Sequence, residues 1–257
     1  MPAMGEELDI IIPVYNEGAN IVRVLESFRD HIRTPFRILI CYDRDEDDTL
    51  EALDGMDLHG LDVQLVKNHG RGALGAIVTG FEESRAAAVV VFPADDDYNA
   101  PNLDRMIEKF REGCQIVVAS RFIPGGCMIG CPWLKATLVR TSAWALHHLA
   151  GVPTHDSTNG FRLFSRCVLE AIPIESSVGF AYSIELLVKC HRLGWKIGEV
   201  PVSWHERKAG QSRFRVLRWL PQYLKWFCYA FATTYLLRGP SSVMLKSNSK
   251  REVTLTP

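Results

Sequence analysis

Ala88-Val89-Val90-Val91-Phe92-Pro93-Ala94-Asp95-Asp96-Asp97 places three adjacent carboxylates directly after an unbroken apolar run. A short, wholly apolar run is typical of a strand buried on both faces of a parallel sheet. The run Ile10-Ile11-Ile12 repeats this pattern near the N-terminus. Ligands of such sheets bind beyond the carboxyl ends of the strands, so the loops that follow the strands are where functional groups are expected.

Working outward, β-rich runs alternate with helical patterns. We predict strands at Leu8–Val14, Phe36–Tyr42, Val63–Lys67, Ala88–Phe92 and Gln115–Ala119, with helices near Ala19–His31, Asp48–Met56, Gly72–Arg85 and Asn102–Glu112. Later come a helix near Lys135–Ala150, a polar turn at Thr154–Gly160, a helix at Ala181–Leu193 and a strand at Lys196–Val202. This order predicts an α/β fold, doubly wound, with a mostly parallel sheet and helices on both faces.

The composition fits a globular enzyme. The chain has 257 residues, 47% of them apolar, and 29 basic against 30 acidic side chains, so no overall field attracts nucleic acid. Among its seven cysteines only Cys127 and Cys131 form a close pair, and we expect reduced thiols. The N-terminus lacks a signal-peptide pattern, and the apolar stretch Trp226–Leu237 is well short of the ~20 residues of a membrane span. We therefore predict a cytoplasmic protein.

The acidic turn Asp95-Asp96-Asp97 is the strongest local signal of chemistry. Crowded carboxylates repel one another unless a cation joins them, and Mg²⁺ or Mn²⁺ prefers oxygen ligands shared with substrate phosphates. Asp95 and Asp97 could face one ion in an extended turn while Asp96 points away. The alternative is a solvated acidic loop in which an aspartate caps the next helix.

Other strand ends carry groups suited to a nucleotide. Tyr15 can pack on a ring, and Asp43 can accept hydrogen bonds from a base or ribose. For Asn16 and Asp48 we favour capping of the helices that follow them. The glycines of the segment from Gly70 to Gly75 would let a phosphate approach the backbone, although this signal alone is weak.

Together these motifs resemble glycosyltransferase family 2, whose fold is of the GT-A type, and within it the dolichol-phosphate mannose synthases and bacterial polyprenyl-phosphate glycosyltransferases. The resemblance covers about residues 8–215 and rests on order and spacing. Its motifs are Pro13-Val14-Tyr15-Asn16-Glu17, the segment from Asp43 to Thr49, Gly70 to Gly80, Asp95-Asp96-Asp97, Ala119-Ser120-Arg121-Phe122, Asp156 to Arg162 and Glu199-Val200-Pro201.

The resemblance implies a set of donor and metal ligands. The nucleotide-sugar set is Pro13, Tyr15, Glu17, Asp43, Gly72, Asp95, Asp96, Arg207 and Arg213, the two arginines lying in a loop that closes over the diphosphate. The metal set for Mg²⁺ or Mn²⁺ is Asp95, Asp97 and Asn99, where relatives have glutamine at the last position. The segment from Cys41 to Asp47 departs from the family pattern, which leaves the base, guanine or uracil, open.

The acceptor side divides between two chemistries. Arg121, Arg140, Arg207 and Arg213 are candidate ligands of an acceptor phosphate, because guanidinium groups bind phosphate bidentately. We expect Asp97, Arg121, Arg140 and Asp156 to be the catalytic residues of an inverting hexose transfer from GDP-mannose or a UDP-sugar to a polyprenyl or dolichyl phosphate. A saccharide hydroxyl acceptor would need a base, for which Asp156 and Asp97 are the candidates.

The domain organisation follows from these motifs. Residues 1–215 form the catalytic domain, residues 216–240 an amphipathic, membrane-interfacial helical segment, and residues 241–257 a disordered tail. The alternative for 216–240 is packing on the protein's own core or in a dimer. We thus expect peripheral attachment to the cytosolic face of a membrane, with a membrane partner subunit or a second copy also open. A non-catalytic nucleotide-sugar-binding protein is the rival from another class.

Overall fold

The computed structural model describes residues 7–206 and 216–246. Its strands are β1 (Leu8–Pro13), β2 (Phe36–Tyr42), β3 (Val63–Lys67), β4 (Ala88–Val91), β5 (Ile116–Ser120), β6 (Cys127–Ile129), β7 (Arg162–Ser165), β8 (Ile197–Pro201) and β9 (Ser203–His205). Its α-helices are α1 (Gly18–His31), α2 (Asp48–Asp54), α3 (Gly72–Glu83), α4 (Asn102–Arg111), α5 (Trp133–Trp144), α6 (Arg166–Ala171), α7 (Ala181–Leu193) and α8 (Val216–Tyr235).

The main sheet has seven strands in the order β3-β2-β1-β4-β7-β5-β8. Strand β7 runs antiparallel to both β4 and β5, and the other pairings in this sheet are parallel. A second sheet pairs β6 with β9. The predicted fold class, a mostly parallel doubly wound sheet, is confirmed, and the ends of β1, β2 and β4 meet at one edge.

Alternate residues of the central strands enter cores on opposite faces of the sheet. Ile10 and Ile12 pack with α1 and α4, whereas Ile11 packs with α3 and α7. All three are fully buried. Each such side chain contributes about 1.5–3 kcal/mol on leaving water, which explains why a strand covered on both faces is apolar throughout.

Two elements differ from the sequence expectation. The helix expected near Lys135–Ala150 is α5 followed by a π-helical turn, Ala145–Leu149. The polar turn at Thr154–Gly160 leads into β7, whose first residue, Arg162, is buried inside the sheet. A charged residue at that position hides the strand from a hydrophobicity pattern.

Helix α8 packs one face against the core. Trp226 is 1% exposed, and its indole N–H donates to the Ser176 hydroxyl at 2.8 Å. For residues 216–240 the sequence left open a membrane-interfacial helix or packing on the protein's own core, and the face of α8 that carries Trp226 packs on the core. Within the described residues, no helix has both the length and the apolar character needed to cross a bilayer.

The tail expected to be disordered from Ser241 is packed over its first residues. A 3₁₀ turn, Pro240–Ser242, follows α8, and Val243 is buried. The backbone N–H of Lys246 donates to the carbonyl of Ala171 at 2.9 Å, and its ammonium donates to that of Leu169 at 2.7 Å. Lys246 thus supplies hydrogen-bond donors to carbonyls in the last turn of α6, and these bonds fix the position of the segment. The polar composition of the segment did not predict this packing.

Candidate active site

The loop after β1 is fixed to the loop after β2. The backbone N–H of Asn16 donates to both carboxylate oxygens of Asp47, at 3.0 and 3.1 Å, and the N–H of Glu17 donates to the Thr49 hydroxyl at 3.0 Å. Asp47 and Thr49 are both buried. These bonds hold the Tyr15–Glu17 segment in place from the neighbouring strand end.

The capping roles differ from those expected. Asp47, not Asp48, caps α2 by accepting from the N–H of Thr49 at 3.0 Å. Asp48 instead accepts from the N–H of Gly18, the first residue of α1, at 2.9 Å. A Cβ at Gly18 would lie 2.8 Å from the Asp48 carbonyl oxygen, so the close approach requires glycine. Asn16 does not cap α1 and has a φ of 53°.

Three of the predicted nucleoside ligands stand at this strand end. Pro13 is the last residue of β1. The Tyr15 ring has the Arg44 guanidinium 6.0 Å from its centroid. Glu17 is buried, and its carboxylate accepts from the Asn20 side-chain amide at 2.9 Å. Their contact with a nucleoside stays a prediction.

Asp43 and Gly72, both predicted to bind the donor, contact each other. The half-buried Asp43 carboxylate accepts from the N–H of Gly72 at 3.0 Å and from the side-chain amide of Asn68. Gly72 has a φ of 66°, a conformation that favours glycine. Each carboxylate oxygen keeps a lone pair for a base or ribose. Asn68, which the sequence argument missed, directly follows β3 and could have been found as a polar residue at a strand end.

The acidic turn after β4 is held from within by its middle carboxylate, that of Asp96. The Asp96 carboxylate accepts from the backbone N–H of Asn99 at 3.0 Å and from its side-chain amide at 2.7 Å. Burial raises the pKa of Asp96 to about 6. Asp97 is 26% exposed, with the Arg23 guanidinium 3.6 Å from its carboxylate. The carbonyl of Asp97 accepts from the Ser27 hydroxyl at 3.0 Å, which ties the turn to α1.

Asn99 has a structural position that does not suit a metal ligand. Its side chain is 2% exposed, and its amide nitrogen donates to Asp96 at 2.7 Å and to the Ser203 carbonyl at 2.7 Å. Its carbonyl oxygen accepts from the N–H of Ser203 at 3.1 Å and from Asn102 at 3.2 Å. We therefore withdraw Asn99 from the metal set, because its oxygen is already occupied. The Asp96 carboxylate likewise accepts hydrogen bonds within the turn, from the backbone N–H groups of Tyr98 and Asn99.

The remaining pair, Asp95 and Asp97, fits a divalent cation that is completed by substrate. In the described parts of the chain, no three or more His, Cys, Asp or Glu side chains gather to hold a metal ion. Mg²⁺ is commonly held by one or two carboxylates together with substrate phosphates and water. Two carboxylates at a strand end therefore match an ion that arrives with a nucleoside diphosphate.

On the acceptor side, Arg121 and Asp156 form a buried ion pair. Nε of Arg121 donates to Asp156 at 2.7 Å and Nη2 donates at 2.9 Å, while the side chains are 9% and 0% exposed. Nη2 also donates to the Thr158 hydroxyl at 2.8 Å. Asp156 was a candidate base, but it is enclosed and neutralised, so that assignment does not fit the structure.

A second arginine, Arg162, lies behind this pair. It is fully buried and donates to the carbonyls of Ser157, at 2.6 Å, and Ser183. Burial lowers the pKa of Arg162 to about 10, and the Asp156 charge opposes that shift. The sequence analysis assigned no role to Arg162 itself. A charged residue next to the apolar run Leu163-Phe164 could have indicated a buried, hydrogen-bonded side chain.

Phe122 brings the two predicted acceptor arginines together. The Arg121 guanidinium lies 5.2 Å from the Phe122 ring centroid, and that of Arg140 lies 5.8 Å from it. Arg140 is exposed on α5. Arg207 and Arg213 lie outside the described residues. The strand before them, β9, adjoins the acidic turn, where the His205 and Tyr98 rings stack at 4.5 Å.

Three histidines gather beside the end of α5. The rings of His147 and His155 are 4.0 Å apart, and His148 lies 4.7 Å from His147. Nδ1 of His155 lies 2.8 Å from a Glu199 carboxylate oxygen. This group does not qualify as a metal cluster among the described residues. All seven cysteines are free thiols in the structure.

Comparison with known proteins identifies the family to which these features correspond. A family model described as "Glycosyl transferase family 2" matches residues 9–173. The polyprenol monophosphomannose synthase of Mycolicibacterium smegmatis is 31% identical over 211 residues, which are 79% of this chain and 79% of that protein. The undecaprenyl-phosphate mannosyltransferase of Micrococcus luteus is 27% identical over 209 residues, 79% and 85% of the two chains.

Solved structures show the same fold. A glucosyl-3-phosphoglycerate synthase from Mycobacterium tuberculosis, in complex with Mn²⁺, UDP and glucosyl-3-phosphoglycerate, has a TM-score of 0.65 at 18% identity, covering 89% of this chain and 81% of that one. The same synthase with Mg²⁺ and UDP gives 0.61 at 19% identity, with coverage of 89% and 79%. At these identities the likeness concerns the fold.

Proposed function

Because the chain belongs to glycosyltransferase family 2, we propose that it transfers a hexose, with inversion, from a nucleotide-sugar to a polyprenyl or dolichyl phosphate. Both curated relatives are named as mannose transferases that act on polyprenyl-type lipids, which favours GDP-mannose as donor over a UDP-sugar. The acceptor then brings the protein to a membrane surface, and we propose peripheral attachment on the cytosolic face.

One observation carries the choice of acceptor. Asp156, a candidate base for a hydroxyl acceptor, is fully buried and paired with Arg121. The other candidate, Asp97, lies beside Arg23 and belongs to the proposed metal pair. A lipid phosphate needs no base, since its second pKa of about 6 leaves it ionised near neutral pH. The absence of an accessible base among these candidates supports a phosphate nucleophile.

The donor is proposed to bind along the ends of β1, β2 and β4. Pro13, Tyr15, Glu17, Asp43 and Gly72 would hold the nucleoside beside the two cross-linked loops. Asp95 and Asp97 would hold Mg²⁺ or Mn²⁺, which when bound supplies positive charge to the leaving diphosphate. Arg207 and Arg213 are proposed to contact the same diphosphate.

The protein's task in the reaction is alignment and charge neutralisation. An oxygen of the acceptor phosphate attacks the anomeric carbon, the bond from that carbon to the diphosphate oxygen breaks, and the electron pair leaves with the nucleoside diphosphate. Arg140, with the outer edge of Arg121, would hold the acceptor phosphate on the opposite side from the leaving group. Attack from that side inverts the anomeric configuration.

A donor panel tests this proposal. Nucleoside diphosphate release would be measured from GDP-mannose, UDP-glucose and UDP-N-acetylglucosamine with Mn²⁺ or Mg²⁺, with and without polyprenyl phosphate. We expect release from GDP-mannose that the lipid phosphate stimulates and that Asp97→Ala abolishes. Turnover that instead requires a saccharide acceptor would replace the lipid phosphate by a hydroxyl compound.

A further inference from the structure

Helix α5 presents an apolar face to solvent. Trp133, Leu134, Leu138 and Trp144 are 78%, 56%, 57% and 54% exposed. Ala143 on the other side of the helix is buried. Large apolar patches of this kind on a protein surface mark interaction sites.

Helical geometry arranges these side chains in two adjacent stripes. With 3.6 residues per turn, Trp133, Thr137, Arg140 and Trp144 follow spacings of four, three and four, and therefore share one side. Leu134 and Leu138 form the neighbouring stripe, one turn apart. The face thus combines two tryptophans, two leucines and an arginine, a composition typical of the headgroup layer of a bilayer.

Arg140 connects this face to the proposed acceptor site. Its guanidinium lies 5.8 Å from the Phe122 ring, on which Arg121 also packs at 5.2 Å. A membrane lying against α5 would therefore bring lipid phosphates to the level of Arg140. The surface and the site are continuous, which a face elsewhere on the molecule would not achieve.

Helix α8, the segment expected to lie at the membrane, is a weaker candidate. Its Trp226 is 1% exposed. Tyr223, Phe227 and Phe231 pack against the core on the face of the sheet that α3 and α7 cover. The aromatic side chains along this part of α8 are therefore wholly or partly buried against the protein's own core. Leu220 and Leu224 remain 42% and 51% exposed.

The segments outside the described residues are poor candidates to cover α5, judged by their sequences. Residues 1–6 read Met-Pro-Ala-Met-Gly-Glu, and residues 207–215 read Arg-Lys-Ala-Gly-Gln-Ser-Arg-Phe-Arg. Residues 247–257 contain Val253 and Leu255 as their only large aliphatic residues. Four exposed apolar side chains need an apolar counterpart of similar size. The cationic Arg140 beside them additionally suits an anionic lipid surface.

We propose that the exposed face of α5 is the surface by which this protein docks on an anionic membrane. The inference rests on the proposed function, because a lipid acceptor is the reason for the protein to meet a bilayer. Trp133 and Trp144 enter the headgroup layer, Leu134 and Leu138 reach the acyl boundary, and Arg140 meets lipid phosphate. The docked orientation places the acceptor site at the membrane surface.

Vesicle binding by matched leucine pairs tests the proposal. The full chain and its variants are sedimented with vesicles of phosphatidylcholine alone or with phosphatidylglycerol, free of polyprenyl phosphate and donor. We expect wild-type binding to increase with phosphatidylglycerol, and Leu134→Gln/Leu138→Gln to lower the partition coefficient by roughly tenfold. The control pairs Leu220→Gln/Leu224→Gln and Leu236→Gln/Leu237→Gln, also on exposed leucines, should bind within about twofold of wild type.

Two further readouts complete the test. Thermal unfolding checks that each variant folds, and transfer to a water-soluble, short-chain polyprenyl phosphate measures catalysis without a bilayer, so a failed function is distinguished from a failed docking surface. We expect the α5 pair to keep this soluble activity. Absence of wild-type vesicle binding, loss confined to a control pair, or a dimer that only the α5 pair dissociates would each overturn the proposal.

Discussion

The guanidinium of Arg121 donates two hydrogen bonds to the carboxylate of Asp156, at 2.7 and 2.9 Å, and the Asp156 side chain is fully buried. Both residues were predicted to be catalytic, and the structure makes them partners. Removing one member of a buried pair leaves the other charge uncompensated, so this contact is important for folding as well as for the site.

Asp156→Asn is therefore expected to lower the free energy of unfolding by about 3–5 kcal/mol. Urea denaturation would measure the loss. The control Thr158→Val removes the hydroxyl that accepts from Arg121 and donates to Asp156 but keeps the ion pair, and should cost about 1–2 kcal/mol. If Asp156 were instead a general base, Asp156→Asn would slow transfer by about 10²–10⁴-fold and change the pH profile of kcat while leaving stability nearly intact.

The link between the first two loops gives a second prediction. Asp47→Ala removes a helix cap and the acceptor for the N–H of Asn16, and should lower stability by about 2 kcal/mol and raise KM for the donor. Asp45→Ala changes an exposed aspartate of the same loop, paired with Lys67, and should cost less than about 1 kcal/mol. Equal losses in the two variants would show that the cross-loop bonds do not stabilise the site.

Asn99 provides a test of the withdrawn metal ligand. Asn99→Ala removes the side-chain partner of the Ser203 N–H and carbonyl and one of the donors to Asp96, so unfolding should become easier by about 2 kcal/mol. The Mn²⁺ concentration for half-maximal activity should change by less than about threefold, because the oxygen of the Asn99 side chain is already hydrogen-bonded. A rise of about tenfold or more, of the size that a lost metal contact produces, would restore Asn99 to the metal set.

A pH effect is expected at His191, near the C-terminal end of α7. Burial lowers the pKa of His191 below its ordinary value, so the unfolded chain takes up a proton at a pH where the folded chain resists it. The folded state consequently loses stability as the pH falls below about 6.5. His191→Gln should flatten this dependence of the free energy of unfolding between pH 8 and pH 5 in urea titrations, and an unchanged slope would contradict the role of His191.

Sequence patterns predicted the fold well because its signals are local. The runs around Ile10–Ile12 and Val89–Val91 are apolar at every position, and this pattern specifies strands that are covered on both faces. The parallel sheet then determines that the ends of β1, β2 and β4 meet at one edge, which is why order alone could place the residues proposed to bind the donor at that edge.

Roles that depend on distant partners could not be predicted in this way. Asn99 bonds to Ser203, 104 positions away, and Asp156 pairs with Arg121, 35 positions away. Such contacts arise only when loops of different strands meet. The docking face of α5 escaped notice for another reason: apolar residues lie on both its buried and its exposed sides, so the helix lacks the one-sided pattern by which amphipathic helices are recognised.

Sugar transfer into a lipid product tests the central claim most directly. Purified protein would be incubated with labelled GDP-mannose, Mn²⁺ and polyprenyl phosphate, and label would be followed into an organic extract, with Asp97→Ala as control. The account predicts a polyprenyl-phosphate mannoside whose anomeric configuration is opposite to that of the donor, and no product from the variant. Absence of lipid-linked label, together with label transferred to a saccharide hydroxyl, would contradict it.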